Sequence, residues 1–209
     1  MVKKYLILAV FILCACNNVP KQLDSGSWNS SLNGATFKPM DGEGKLVKKS
    51  FLKQKGFLPL SANDALTYVR NQEREYADAL EPSGVIVQRA GQDLILVIFD
   101  EIMFANEQWR VNERFYKSLD FIVKELNKYN RSYVEVLGFT DTEGTAFENQ
   151  MKSNSKAMSV ASYLVNNGVN VHRVFVDGRG ENYPIADNAS PRGRSLNKRV
   201  EIRIAPIFE

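Results

Sequence analysis

The sequence predicts an α+β domain, with two helices packed on one face of a mixed β-sheet, preceded by a β-hairpin and a flexible tether. Three observations carry this expectation. Residues 112–129 place Phe115, Leu119, Ile122, Val123 and Leu126 every third or fourth position, which makes one apolar stripe on a helix, and residues 153–167 do the same with Ala157, Val160, Ala161 and Leu164. Short apolar runs at 85–87, 94–98, 133–137, 174–176 and 200–204 have the length and β-branched content of strands. The resulting order is strand, strand, helix, strand, helix, strand, strand, which packs as a sheet covered on one side by helices.

Taken from the N-terminus, Lys3 and Lys4 precede an almost wholly apolar run over residues 5–13, too short to span a bilayer as a stable helix. Both cysteines of the chain end this run. Leu13-Cys14-Ala15-Cys16 resembles a bacterial lipobox, in which the last cysteine is acylated and becomes the mature N-terminus. An ordinary signal peptide or a short uncleaved anchor is the alternative. The expected divisions are a signal peptide over 1–15, a lipidated N-terminus at Cys16 with a flexible linker to residue 60, a helix and connection over 61–83, and a folded domain over 84–209. Residues 17–60 are rich in Ser, Asn, Gly and Lys without a sustained period, as a tether is. Within them Lys45, Lys48, Lys49, Lys53 and Lys55 form a loose basic run around Phe51 and Phe57, read as solvated linker or as a contact for anionic lipid or polymer. Ser61-x-x-Asp64 is a helix-start signature for a helix ending near residue 80, ahead of Pro82 and Gly84. Residues 90–93 form the turn of the hairpin that follows.

Composition narrows the function. Without Lys3 and Lys4 the chain has 25 basic residues against 24 acidic. So even a balance excludes the global charge of a nucleic-acid binder. No cysteine follows Cys16, which leaves no intramolecular disulfide and no cysteine metal site in the mature chain. His172, the only histidine, falls in a loop beside Arg173 and reads as solvent-exposed, and no nucleophile–base–orienter set can be built with it. Gly178-Arg179-Gly180 lacks the spacing and the Lys-Ser/Thr ending of a phosphate loop. The expectation is a protein without enzymatic activity, cofactor or metal.

The chemistry concentrates between Gly138 and Ile204. Asp141 follows a strand end, where a loop side chain can face a ligand, and Gly144 allows a tight turn after it. Ser153 is expected to cap the next helix, with Lys156 in its first turn. A carboxylate at Asp141 and an ammonium at Lys156 suit a zwitterion, with the helix N-terminus adding favourable potential for its carboxylate. On spacing alone, a plain surface ion pair or a turn aspartate serves equally well.

The ordered set of motifs decides between them. Gly138-x-Thr140-Asp141-x-x-Gly144 is followed by Asn149, Ser153, Ala157, Val160, Tyr163-Leu164, Gly168-Val169 and Arg173. Gly178-x-Gly180-Glu181-x-x-Pro184-Ile185, Asn188 and Gly193-Arg194-x-x-Asn197-Lys198-Arg199-Val200-Glu201-Ile202 complete it. Over residues 102–204 this set resembles the OmpA-like peptidoglycan-binding domain of envelope proteins and lipoproteins. The resemblance implies the OmpA-like fold and, as ligand, the diaminopimelate of the peptidoglycan stem peptide. It implies Asp141 as acceptor of the ligand ammonium and Lys156, where the family has arginine, as partner of its carboxylate. Thr140, Asn149, Asn197 and Arg199 match positions near the binding groove, and Arg199 is expected either to brace the last loop or to compensate for the lysine at 156. An arginine at 156 offers two parallel hydrogen bonds where lysine offers a mobile point charge. The implied protein is an envelope lipoprotein held to the membrane by Cys16 and to the wall by its domain. Asn17 lacks the aspartate that marks inner-membrane retention, which points to the outer membrane with the domain in the periplasm. The other reading is a scaffold subunit of an envelope-spanning secretion or motor complex, in which the fold serves contacts with other envelope proteins.

Overall fold

The two sides of each strand differ in chemistry, and that difference sets what packs where. The computed structural model describes residues 28–32, 35–37, 42–105 and 109–208. Its elements are β1 (Trp28–Leu32), β2 (Ala35–Phe37), α1 (Gly42–Gln54), α2 (Ala62–Leu80), β3 (Ile86–Ala90), β4 (Asp93–Phe99), α3 (Asp100–Met103), α4 (Tyr116–Lys128), β5 (Ser132–Phe139), α5 (Ala146–Asn166), β6 (Val174–Gly178), α6 (Pro191–Asn197) and β7 (Arg199–Pro206). β1 and β2 pair with each other. The main sheet has the order β3-β4-β7-β5-β6, with β5 and β6 parallel and the other neighbours antiparallel. The sheet is mixed, as expected, because α5 carries the chain from β5 back to a parallel β6. The last strand, β7, lies between β4 and β5.

Leu94, Leu96 and Ile98 of β4, Val134 and Val136 of β5, and Val200, Ile202 and Ile204 of β7 share one face. The stripes of α4 and α5 close over them, joined by Val69, Tyr76 and Leu80 of α2. Each such side chain removed from water contributes about 1.5–3 kcal/mol, so this face supplies most of the driving force. Ser61 starts α2 as its signature predicts, its Oγ accepting from the Asp64 N–H at 3.2 Å. Arg173 ties the layers together. Its guanidinium donates to the carbonyls of Leu126, Tyr129 and Ser132, at the C-terminal end of α4 and the start of β5. Helix-end carbonyls carry partial negative charge, which suits a buried cation.

The opposite face is charged and also buried. Arg199, Glu201 and Arg203 alternate along β7, with Glu135 opposite Arg203 on β5 and Asp93 at the start of β4. Here the expectation of an irregular linker to residue 60 is corrected. Residues 42–54 form α1, and α1 covers this face. Leu52 packs with Tyr133, Ala205 and Ile207, while Lys45 pairs with Asp93 and Lys48 with Glu135. Lys45 and Lys48 of the basic run read as solvated linker therefore neutralise carboxylates inside the protein, while Lys53 and Lys55 stay exposed. Lys49 stacks on Phe208, its Nζ 3.3 Å from the ring centroid. Local sequence could not show this, because the helix has few apolar positions and its partners lie far away in the chain. The leader and Cys16 lie outside the described residues.

A docked α1 has a measurable consequence. Replacing Lys45 and Lys48 together by methionine leaves Asp93 and Glu135 buried without their cations. Urea unfolding of the double variant is expected to show a loss of about 3 kcal/mol, the low end of the range for breaking a buried pair because both lysines are partly exposed. A loose tether over 42–54 would leave the midpoint unchanged.

Candidate ligand-binding site

Three neighbouring strands terminate in register. Phe99 of β4 pairs with Arg199 of β7, which pairs with Phe139 of β5. The residues just past these ends, Asp100, Lys198, Thr140 and Asp141, are thereby gathered at one edge of the sheet. The Asp100 N–H donates to the Lys198 carbonyl at 3.1 Å and the Thr140 N–H to the Gly180 carbonyl at 2.8 Å. Asp141 Oδ1 accepts from the Glu143 N–H at 3.1 Å, the hydrogen bond of an aspartate turn, and its Oδ2 lies 3.2 Å from Lys198 Nζ.

The helix bringing Lys156 to this edge starts earlier than expected. α5 begins at Ala146, where Thr145 and Glu148 form a reciprocal capping box. Thr145-x-x-Glu148 is the helix-start signature, but exposed Phe147 and buried Asn149 break the apolar period there and hide the first two turns. Ser153 is therefore not a cap. Its Oγ donates to the Gln150 carbonyl and accepts from the Gly180 N–H, both at 2.9 Å, which straps α5 to the loop after β6. Lys156 lies about three turns into the helix and receives none of the N-terminal potential, which fades within the first turn. The glycines of the motif follow from the same contact. A Cβ at Gly138 would stand 2.0 Å from the Ser153 carbonyl oxygen, and one at Gly178 2.4 Å from Asn154 Oδ1. Only glycine allows α5 to lie this close to β5 and β6.

That approach drives Lys156 under the strand ends, where the residue is 1% exposed. Its Nζ donates to the Phe139 carbonyl at 2.9 Å, lies 2.5 Å from Asp100 Oδ2, and sits 4.7 Å from the centroid of the Trp109 ring. Burial lowers the Lys156 pKa, opposed by Asp100, and burial raises that of Asp100, opposed by Lys156. Trp109 holds φ 57°, a conformation uncommon outside glycine. The Phe104–Val111 bridge and the Ala105 N–H to Arg110 carbonyl bond of 3.0 Å hold the chain next to it.

The expected pair, Asp141 and Lys156, is thus brought to one place, but each has another partner. Lys156 serves Asp100, and Asp141 faces Lys198. Of the other expected residues, Asn197 spends all four of its side-chain bonds on Ile185, Ala186 and Asn188, locking the loop before α6. Arg199 donates to the carbonyls of Tyr183 and Asn197 and to Glu201, and stacks 3.8 Å above the Phe139 ring centroid. Its geometry is that of a brace. Asn149 donates to Glu181 Oε2 at 2.7 Å. Its Oδ1, together with Thr140 Oγ1 and Asp100 Oδ1, is buried and has no hydrogen-bond partner among the described residues. Unpaired buried polar atoms are rare and call for an explanation. Asp100, Trp109 and Lys198 are residues the sequence reading did not assign. Asp100 carried the same signal as Asp141, an aspartate directly after an apolar strand. Among the described residues no cluster of His, Cys, Asp or Glu could hold a metal ion.

The site thus combines a β5–α5–β6 crossover, an antiparallel central strand, and an acid and a base at the strand ends. Residues 103–198 match the OmpA family, and over that span the chain is OmpA-like. It is 32% identical over 140 residues to the probable lipoprotein YiaD of Escherichia coli, covering 67% of this chain and 64% of that protein. It is 36% identical over 101 residues to the peptidoglycan-binding protein ArfA of Mycobacterium tuberculosis, covering 48% of this chain and 31% of that one. Among solved structures it resembles the cell wall anchor of the T6SS from Pseudomonas aeruginosa, with 29% identity, a TM-score of 0.58, and coverage of 65% of this chain and 96% of that one. The chain thus spans less than two thirds of the length of both named sequence relatives.

Beneath the site, Glu201 is fully buried between Arg199 and Arg203, which donate to its two oxygens at 2.6–2.9 Å. Burial alone would raise its pKa, but Arg203 and Arg199 together hold it below the ordinary value of 4.5. A carboxylate so depressed adds stability that is fully present above its unfolded pKa and is lost as pH falls through the folded one. Glu201→Gln is expected to cost about 3 kcal/mol at pH 7, since it leaves two buried guanidiniums without their carboxylate. Chemical denaturation at successive pH values should show this gap narrowing below pH 4.5.

Proposed function

We propose that the chain binds peptidoglycan non-covalently, through the diaminopimelate of the stem peptide, and tethers the outer membrane to the wall by a lipid on Cys16. The observation that carries this reading is the excess of buried acceptors at the strand ends. Asp141 is joined there by the unpaired oxygens of Thr140 and Asp100. A ligand rich in donors would satisfy them, and an ammonium offers three. The carboxylate of the same ligand centre falls to the cations of the site, with Lys156 supplying fixed positive charge at its floor and Lys198 at its rim. Arg199 and Asn197 support the loop over which the ligand lies. The names of ArfA and of the secretion-system anchor agree with wall binding. In this reading nothing at the site performs covalent chemistry.

Co-sedimentation of the full chain with diaminopimelate-containing sacculi tests it. Asp141→Ala is expected to reduce binding about tenfold or more, the worth of one charge-assisted contact. Undiminished binding by a folded variant would remove Asp141 from the site. Lys156→Ala is expected to lower both binding and stability, the latter by about 3 kcal/mol, because Asp100 loses its buried partner.

The likeness to the secretion-system anchor favours a second reading, in which the chain is a wall-binding subunit of a larger envelope complex. Stable co-purification with other envelope proteins from detergent extracts would support it. Recovery as a free protein counts against it.

A further inference from the structure

The cation best placed to receive a ligand carboxylate is not the one the family motif designates. Lys156 has its ammonium between the Phe139 carbonyl, Asp100 and the Trp109 ring, and is closed to solvent. Lys198 is different. Its side chain is 42% exposed, and the Asp141 side chain it meets is 7% exposed. The Lys198 backbone is fixed on both sides, its N–H donating to the Arg194 carbonyl at 3.1 Å and its carbonyl accepting from the Asp100 N–H at 3.1 Å. Only the side chain has room to move. In the unliganded protein its ammonium therefore stands where a ligand ammonium is to bind.

Resting on the reading above, we propose that Lys198 is the specificity residue of the site, an internal stand-in that exchanges partners on binding. A ligand ammonium displaces Lys198 Nζ from Asp141, and the released Nζ turns to the carboxylate on the same ligand carbon. A zwitterion replaces one ion pair with two. A ligand with an ammonium alone evicts Lys198 and leaves it without a counter-charge, so one pair is merely exchanged for another. Stem peptides supply this comparison, because lysine is diaminopimelate without the distal carboxylate. Lys198 thus separates a diaminopimelate wall from a lysine wall by both attraction and competition.

The test is titration of the full chain with two synthetic tripeptide stems, one carrying meso-diaminopimelate and one carrying lysine at the third position. Wild type is expected to prefer the diaminopimelate stem by about tenfold or more, one charge-assisted pair. In Lys198→Met the diaminopimelate affinity falls by about the same factor. Its affinity for the lysine stem stays level or rises, because the competitor for Asp141 is gone. The preference collapses toward one, and Lys198→Arg keeps it. Thermal melts of each variant accompany the titrations and establish that it is folded. A folded Lys198→Met chain that retains the full preference overturns the assignment while leaving wall binding intact. Wild type binding neither stem, or both equally, overturns it too, the former together with the proposed function.

Discussion

The structure depends on a buried strip of charge. β7 occupies the centre of the sheet with one side apolar and the other carrying Arg199, Glu201 and Arg203, and neither side reaches water. Isolated charges in such a place cost several kcal/mol each, so every one must be matched. Glu201 meets the requirement for its two neighbours by accepting from both. Asp93 and Glu135 remain, and they are met from outside the sheet by Lys45 and Lys48 of α1. The helix before the domain is thus part of the charge balance of its core. The same strip positions the site. Arg199, held by Glu201, reaches Phe139 on one side and the Tyr183 carbonyl on the other, and so fixes where β5 ends and how the loop before α6 lies.

What the sequence made legible divides along a physical line. Elements whose burial follows from their own periodicity were readable, namely α4, the hairpin β3–β4, β5 and the latter half of α5. A mixed sheet was expected, but which strands pair in parallel is seen only in the structure, where α5 joins β5 to β6. Elements held by distant partners were not. α1 offers little apolar stripe, and its two ion pairs span 48 and 87 residues of chain. The first turns of α5 carry a capping box but little periodicity, and a reading led by periodicity starts the helix at Ser153. That misplacement also put Lys156 at a helix terminus, where it does not lie. The site residues show the same division. The resemblance assigned Asp141, Lys156, Thr140 and Asn149 to one groove, and the structure gathers Thr140, Asp141 and Lys156 near the strand ends. Their pairing depended on Asp100 and Lys198, contributed by β4 and β7 through sheet register, and register between distant strands is not written in local spacing.

Lysine at position 156 becomes intelligible once its surroundings are known. The site it fills is closed and offers it a carbonyl, one carboxylate oxygen and the face of an indole. A compact ammonium with three donors matches two polar partners and a ring. A guanidinium carries five donors in a rigid plane and cannot turn them separately toward a carbonyl, a carboxylate and a ring face as a rotatable ammonium can. The apparent weakening of a ligand contact is therefore a good fit to an internal one. Lys156 holds Asp100 and the end of β5 in place, and in the binding mode proposed above the electrostatic contact with a ligand passes to the rim. There a mobile ammonium has an advantage over a rigid fork, since Lys198 must leave one carboxylate and find another without moving its backbone. Fixed charge at the floor and exchangeable charge at the rim are different tasks. Burial assigns them to different lysines.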